Sequence, residues 1–302
     1  ISHRLAEVRR LCRRGTVLRN GESIGTVDLT DTRDAEIFRM MVGVSPERRA
    51  GGGAMRAEAE QRPAIHIRGL CGAILSDVGF DVNQGEIVGL AALEGQGQRE
   101  LFRILGGAAR PERATVEVDG RRARLGSPAQ ALRSGIGFVP EERKSEGIFL
   151  GLGTRSNISL SIVDRIRRFG LIDQGRERAL VREEAQQVDL PERYLGMEIA
   201  ALSGGNQQKA LLARVLLSGA RNLVLFDPTR GVDVGTKQVI YGVIRGFVSR
   251  GGGSVLLYST ELAELVQLVH RCLVLYRGRI VGEVMGDALT EERLVSLATG
   301  HG

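Results

Sequence analysis

The sequence predicts an α/β fold in which a mostly parallel sheet is covered by helices on both faces. Short apolar runs at residues 87–90, 223–226 and 254–258 have the length and composition of buried strands. Helical patterns lie between them, including residues 99–106 and the Ala/Leu/Arg run that follows residue 209. Strands that alternate with helices form parallel sheets, and such sheets bind ligands at the carboxyl ends of their strands.

The composition limits the class of protein. The 302 residues are 42% hydrophobic with a net charge of +6, and no run approaches the roughly 20 apolar residues that a membrane-spanning helix needs. We therefore expect any membrane role to be peripheral. The cysteines, Cys12, Cys71 and Cys272, are far apart and have neither disulfide-ladder nor zinc-site spacing, which indicates a reducing compartment.

A long internal repeat divides the chain. Residues 1–43 align without a gap onto residues 258–300, and twelve of the 43 pairs are identical at a constant offset of 257. Each copy has the pattern of an amphipathic helix, a strand, a glycine-containing turn, a second strand and a terminal helix. We expect the tail of a first domain at 1–43, a linker at 44–63 and a complete homologous domain at 64–302.

The segment most specific for function reads LSGGNQQK at residues 202–209. Ser203 offers a hydroxyl at the start of the helical run, and Gly204 and Gly205 leave backbone amides uncovered. The dipole of a helix favours negative charge at this end. The segment therefore predicts a helix N-terminus that contacts a phosphate group.

This segment resembles the signature motif of ABC ATPases, in the form common in bacterial importers of simple sugars or nucleosides. Residues 227–235 resemble the end of the Walker B motif and the D-loop of these proteins, and residues 125–144 resemble their phosphate-sensing loop region. The resemblance implies a P-loop NTPase fold of the ABC ATPase type, with a helical subdomain that carries the signature, and ATP and Mg²⁺ as cofactors. The nucleotide-binding residues that it implies on these motifs are Ser203, Gly204, Gly205, Asn206, Gln207, Glu141 and Asp233.

The phosphate-binding loop departs from the usual pattern GxxxxGK[ST]. The chain reads ALEGQGQR at residues 92–99. Gly95 and Gly97 still allow a turn that cradles an anion, but Gln98 replaces the lysine and Arg99 replaces the hydroxyl that binds Mg²⁺. We expect this domain to bind nucleotide weakly and to hold no metal ion of its own.

The catalytic positions depart from the pattern as well. Phe226 and Asp227 stand where an aspartate and a glutamate are usual, so Asp227 is the remaining candidate catalytic carboxylate. Thr260 stands at the switch-histidine position, and the repeat pairs it with His3 of the first copy. ABC ATPase sites combine one domain's phosphate loop with the other domain's signature. The resemblance therefore implies that His3 and residues 203–207 meet at the competent site, completed by a phosphate loop upstream of Ile1.

The implied function is that of the ATP-hydrolysing subunit of an importer, at the cytoplasmic face of the inner membrane. Its implied partners are membrane permease subunits, the first ABC domain of the same parent chain and, indirectly, a substrate-binding protein. The apolar stretch within residues 147–157 is a candidate surface for the permease, although its composition also suits a protein core.

Two alternatives follow from the charged residues. A regulatory or nucleic-acid-linked ABC module would use the basic balance and the cluster Arg9, Arg10, Arg13 and Arg14, but aromatic residues are only 4% of the chain and none interleaves the cluster for base stacking. We therefore expect no nucleic-acid partner. In the other alternative, Arg99 supplies the charge of the missing lysine and holds phosphate bidentately, without Mg²⁺.

Overall fold

The computed structural model describes residues 5–19, 22–33, 36, 37, 40 and 63–301. His3, the turn at residues 20 and 21, and nearly all of the predicted linker lie outside this part of the chain. The helices are α1 Leu5–Leu11, α2 Gln98–Leu105, α3 Pro128–Arg133, α4 Thr154–Ser159, α5 Val163–Ile166, α6 Gln174–Gln187, α7 Gly204–Leu217, α8 Val234–Gly251, α9 Leu262–Leu268 and α10 Glu291–Ala298.

The strands form a central sheet, a second sheet and two small hairpins. In chain order they are β1 Arg14–Arg19, β2 Glu22–Asp28, β3 Pro63–Cys71, β4 Val78–Asn83, β5 Ile87–Ala91, β6 Arg113–Val118, β7 Arg121–Arg122, β8 Ile136–Val139, β9 Arg167–Arg168, β10 Leu171–Ile172, β11 Asn222–Phe226, β12 Ser254–Tyr258, β13 Arg271–Tyr276 and β14 Arg279–Met285.

The central sheet confirms the predicted α/β class. Its order is β14-β13-β5-β12-β11-β8, and every neighbouring pair is parallel except the antiparallel edge pair β13–β14. Strands β5, β11 and β12 are buried along their whole length, because helices and a second sheet cover the two faces. Continuous burial explains why these three strands read as unbroken apolar runs in the sequence.

The second sheet is antiparallel, with the order β4-β3-β6-β7. The sequence prediction did not include it as a separate layer. Its strands are only partly buried, with exposed positions between buried ones in β3 and β4, and such strands give a weaker signal than continuous apolar runs. This sheet and helix α2 enclose one of the two large hydrophobic clusters, which includes Phe102, Phe226 and Tyr258.

The two copies of the repeat form hairpins with the same irregularity. Strand β1 pairs with β2 from Arg14 opposite Asp28, and the register shifts between Val17 and Leu18. Strands β13 and β14 pair in the same way, with the shift between Val274 and Leu275. Both shifts fall at the same place once the offset of 257 is applied.

Candidate functional site

The signature helix α7 begins at Gly204 with Ser203 as its cap. The Ser203 hydroxyl oxygen accepts hydrogen bonds from the backbone amide of Asn206 at 3.4 Å and from Asn206 Nδ2 at 3.1 Å. Ser203 is exposed and Asn206 is half-buried, so this helix end opens to solvent. Gln207 lies inside, where its Nε2 donates to the carbonyl of Ile199 at 3.2 Å.

The two signature glycines are required by close contacts. A Cβ atom on Gly205 would lie 2.7 Å from the Thr236 hydroxyl oxygen and 3.2 Å from an Asp233 carboxylate oxygen. A Cβ atom on Gly204 would lie 3.3 Å from the carbonyl oxygen of Gly231. The N-terminus of α7 is therefore seated directly against residues 229–237, which we call the signature seat.

Asp233 holds the signature seat in shape as the cap of helix α8. Its carboxylate accepts from the backbone amide of Thr236 at 2.9 Å and from the Thr236 hydroxyl at 2.8 Å. Burial would raise the pKa of Asp233, but the hydrogen bonds from Thr236 hold it below its usual value. The carboxylate therefore remains ionised where it fixes the start of α8.

Arg143, which the sequence analysis did not identify, joins the signature to the signature seat. Its Nη1 donates to the carbonyl of Arg230 at 3.2 Å, and its Nε donates to Gln207 Oε1 at 3.4 Å. Burial lowers the pKa of this guanidinium from its usual value. The resemblance gave no role to the arginine that follows the acidic pair, so only the three-dimensional contacts reveal it.

The phosphate loop between β5 and α2 keeps the backbone of an anion-cradling turn. Gly95 and Gly97 have φ angles of +79° and +103°, which side-chain-bearing residues adopt only rarely. A Cβ atom on Gly97 would also lie 2.7 Å from Leu75 Cδ2. Gln96 fixes the loop to the β13–β14 turn, since its Oε1 accepts from the amide of Arg277 at 2.6 Å.

Aromatic side chains fill the floor of this loop. The Phe226 ring centroid lies 4.4 Å from that of Tyr258 and 5.3 Å from that of Phe102, and burial raises the pKa of Tyr258 to about 12. Gln98, at the lysine position, is 1% exposed. Its Oε1 is buried and has no hydrogen-bond partner within the part of the chain that the structure describes.

Asp227 lies beside Thr260, at the carboxyl ends of β11 and β12. The Thr260 hydroxyl donates to Asp227 Oδ2 at 2.9 Å, and the aspartate has a φ angle of +47°. Burial raises the pKa of Asp227 above its usual range, against the hydrogen bonds from Thr260 that lower it. The structure thus brings together the two positions that the sequence predicted as the end of Walker B and the switch position.

Arg99 is paired with carboxylates. Its Nε lies 3.4 Å from Glu141 Oε2, and its Nη2 lies 3.7 Å from Glu146 Oε1. Glu141 also accepts from Arg230 Nη1 at 2.6 Å. The charge that would replace the missing lysine is therefore already compensated by acidic neighbours.

Mg²⁺ does not fit the site that these residues form. Phe226 provides no ligand atom, Gln98 and Arg99 bring neither the usual hydroxyl nor a carboxylate, and Asp227 is engaged by Thr260. No group of three or more His, Cys, Asp or Glu side chains among the described residues could hold a metal ion. The glycine turn can still cradle an anion, but it lacks the charge and the metal ligands of a competent loop.

Comparison with known proteins agrees with the fold. The family model for ABC transporters matches residues 75–230. The chain belongs to the ABC transporter family. A solved nucleotide-free ATP-binding cassette from an ABC transporter superposes with a TM-score of 0.67 at 16% identity, covering 78% of this chain and 96% of the cassette. That likeness concerns the ABC fold alone.

Several relatives of the chain are named as sugar-import proteins. The ribose import ATP-binding protein RbsA 1 of Rhizobium etli is 38% identical over 310 residues, covering 100% of this chain and 59% of the relative. A putative ribose/galactose/methyl galactoside import ATP-binding protein of Agrobacterium fabrum is 39% identical over 307 residues, covering 100% of this chain and 60% of the relative. The chain thus spans about 59% of the length of the relatives it matches.

An apolar groove lies beside the signature helix of this ABC chain. It has a volume of about 490 Å³ and is lined partly by Phe138, Pro140, Phe149, Leu160 and Leu211. Within the predicted docking segment 147–157, Phe149, Leu150 and Leu152 are exposed, whereas Ile148 and Asn157 are buried. The segment therefore contributes both to the core and to the surface.

Arg214 of the signature helix holds this segment in place. Its Nε and Nη2 donate to the carbonyl oxygen and to Oδ1 of Asn157, each at 2.6 Å. The same guanidinium donates to the carbonyl of Gly147. Burial lowers the pKa of Arg214 to about 10, so it remains charged at neutral pH. A displacement of the segment would therefore act on the helix that carries the signature.

In the part of the chain that the structure describes, no helix has the length and apolar character to cross a bilayer.

Proposed function

We propose that this chain is part of the ATP-hydrolysing subunit of an ABC importer for a simple sugar or a nucleoside. Its complete ABC domain would supply the signature motif to the competent ATP site of another ABC domain. The observation that carries the proposal is the solvent-open N-terminus of α7, where close contacts with the signature seat require Gly204 and Gly205. The names of the sugar-import relatives favour a sugar as the transported substrate.

The domain's own phosphate loop supports an asymmetric pair of sites. Its glycine turn persists, but a buried glutamine replaces the lysine and an aromatic cluster takes the metal-binding place. We infer that ATP and Mg²⁺ act mainly at the site that the other domain's phosphate loop completes. At that site the N-terminus of α7 would stabilise negative charge on the transferred phosphate.

The tandem arrangement is part of the same proposal. Residues 1–43 would be the end of a first ABC domain, 44–63 a linker and 64–302 the second domain. The shared register shift in the β1–β2 and β13–β14 hairpins supports it. His3 would then act at the competent site by hydrogen bonding to the γ-phosphate or the attacking water.

We propose that a permease subunit at the cytoplasmic face of the membrane docks on the groove beside residues 147–157. Three exposed apolar side chains and the link through Arg214 support this.

For the nucleic-acid alternative, Arg9 and Arg13 are less suited to contact phosphates, since Arg9 donates to the carbonyl of Thr32 at 2.5 Å and Arg13 lies 3.4 Å from Asp28.

The test compares Gly204→Asp with Gly196→Asp in the parent subunit, reconstituted with its permease. A carboxylate at residue 204 would repel the phosphate, and we expect hydrolysis to fall by about 100-fold or more, the effect of losing an anion-stabilising group. A Cβ atom on Gly196 meets nothing within 4 Å, so the same substitution there should leave the rate within about twofold. Full hydrolysis by Gly204→Asp would show that this signature serves no ATP site.

A further inference from the structure

A buried carboxylate on helix α9 gathers contacts that the proposed function does not use. The Glu264 side chain is 5% exposed. Its Oε2 accepts from the hydroxyls of Thr229 at 2.6 Å and Ser259 at 2.8 Å, and its Oε1 pairs with Lys237 Nζ at 2.8 Å. Burial would raise the pKa of Glu264, but hydrogen bonds from these partners and from Tyr241 lower it below its usual value. The group is therefore ionised and fully engaged.

Two of these partners are the two ends of the signature seat. Thr229 is its first residue, and Lys237, in the first turn of α8, is its last. Between them lie Gly231, Asp233 and Thr236, which make the close contacts with the signature glycines. One carboxylate therefore fixes both ends of the segment against which the N-terminus of α7 rests.

The interaction differs in kind from a surface ion pair. Lys237 has a second acidic partner, Glu261 at 2.6 Å, but the Glu261 side chain is 62% exposed. Exposed pairs contribute little, whereas removal of one partner of a buried charged network leaves the others unsatisfied.

Ser259 and Glu264 recur in the first copy of the repeat as Ser2 and Glu7, although Thr260 between them does not recur.

We propose that Glu264 is a positioning residue for ATP hydrolysis. By holding Thr229 and Lys237, it fixes the signature seat and thereby the place at which α7 presents Ser203 and Gly204 to the phosphate of ATP bound by the other domain. The inference rests on the proposed function, since it gives Glu264 an effect on a site that this domain completes. Glu264 itself contacts no nucleotide.

The test uses the parent subunit with its permease and compares Glu264→Gln with Glu261→Gln. Glu264→Gln should lower kcat by about tenfold or more, the scale expected when a reacting geometry shifts by a fraction of an ångström. KM for ATP should stay within about twofold, because the phosphate loop that binds it belongs to the other domain. Glu261→Gln removes only the exposed partner of Lys237 and should retain the rate.

A second pair of variants separates positioning from folding. Thr229→Val removes the hydroxyl at nearly constant volume and should lower kcat as Glu264→Gln does, while Thr229→Ser keeps the hydroxyl and should retain it. The double variant Glu264→Gln/Thr229→Val should lose about as much as the more damaging single variant, because both substitutions remove the same Thr229–Glu264 contact. A role in folding alone would lower the unfolding temperature and leave kcat of the folded protein unchanged.

Three kinetic outcomes overturn the inference. They are a kcat of Glu264→Gln within about twofold of the unsubstituted protein, an equal loss in Glu261→Gln, or additive losses in the double variant. The rate of amide hydrogen exchange of residues 229–237 in the same complex should rise about tenfold in Glu264→Gln and Thr229→Val only. An unchanged exchange rate also overturns the inference.

Gly204→Asp, measured beside these variants, separates the two proposals. If it abolishes hydrolysis while Glu264→Gln does not lower kcat, only the positioning role fails; if it hydrolyses ATP normally, both proposals fail.

Discussion

The carboxyl group of Glu184 should make the helical subdomain less stable as the pH rises. Glu184 lies on α6, is 8% exposed and has no hydrogen-bond or ion-pair partner in the described part of the chain. Burial, assisted by the charge of Glu183, raises its pKa from an ordinary 4.5 to about 7. Between these values the folded state keeps a proton that the unfolded state has released, so the free energy of unfolding falls as the pH rises.

The size of the effect follows from the separation of the two pKa values. About 2.5 pH units at 1.36 kcal/mol per unit corresponds to about 3 kcal/mol, lost progressively between about pH 4.5 and pH 7. Glu184→Gln retains the shape and a similar helix propensity but cannot ionise. We expect it to match the unsubstituted protein at pH 4.5 and to exceed its free energy of unfolding by about 3 kcal/mol at pH 8.

Urea unfolding of both proteins at pH 4.5 and pH 8 measures this difference. The control is Glu192→Gln, which removes an exposed carboxylate paired with Arg182 and should change the free energy of unfolding by less than about 1 kcal/mol at either pH. If the advantage of Glu184→Gln grows by less than about 1 kcal/mol between the two pH values, burial does not govern this carboxyl group.

Two further substitutions test the contacts around the signature. Arg214→Lys should lower the free energy of unfolding by about 2–4 kcal/mol, because an ammonium cannot replace the planar guanidinium that reaches both Asn157 and the Gly147 carbonyl. Urea unfolding measures the change. The control is Arg165→Lys, a substitution of an exposed residue with one backbone contact, which should lower the free energy of unfolding by less than about 1 kcal/mol. Phe226→Leu should lower the free energy of unfolding by about 1–3 kcal/mol, because the ring contacts are lost. Thermal unfolding measures this change against that of Phe169→Leu, since Phe169 is 93% exposed. Equal effects of the two substitutions would contradict a role of the aromatic cluster in stability.

The sequence predicted the parallel sheet because its strands are buried at every position. The runs at 87–90, 223–226 and 254–258 correspond to β5, β11 and β12 within two residues. The antiparallel sheet was not predicted as a layer, because the strands of a half-covered sheet depend on partners that are distant in sequence. Strand β3, for example, pairs with β4 and β6 on either side.

The motifs of the candidate site were predictable to different degrees. The helix N-terminus of the signature was predicted from one short segment, and the structure confirms that Ser203 caps a helix that begins at Gly204. Arg143 and Arg214 were not identified, because they act through contacts with residues that are 57 or more positions away. Glu264 was not identified either, because its partners Thr229 and Lys237 lie 35 and 27 positions away. For Glu264 the repeat with Glu7 was a usable signal, but it did not indicate what the carboxylate holds.

The loss of phosphate-loop chemistry and the retention of the signature have a common physical explanation. A competent phosphate loop needs a buried charge and metal ligands, and both groups carry a desolvation cost that only bound nucleotide and metal offset. Replacement of these groups by Phe226 and Gln98 places an aromatic ring in the hydrophobic cluster and leaves one amide oxygen unpartnered. The signature, in contrast, needs only a capped helix end and two glycines, and the signature seat that packs against them begins two residues after Asp227. The Asp227–Thr260 contact and the Glu264 contacts share the same stretch of backbone. Under the proposed function, this stretch would therefore serve both the domain's own site and the site that the domain completes.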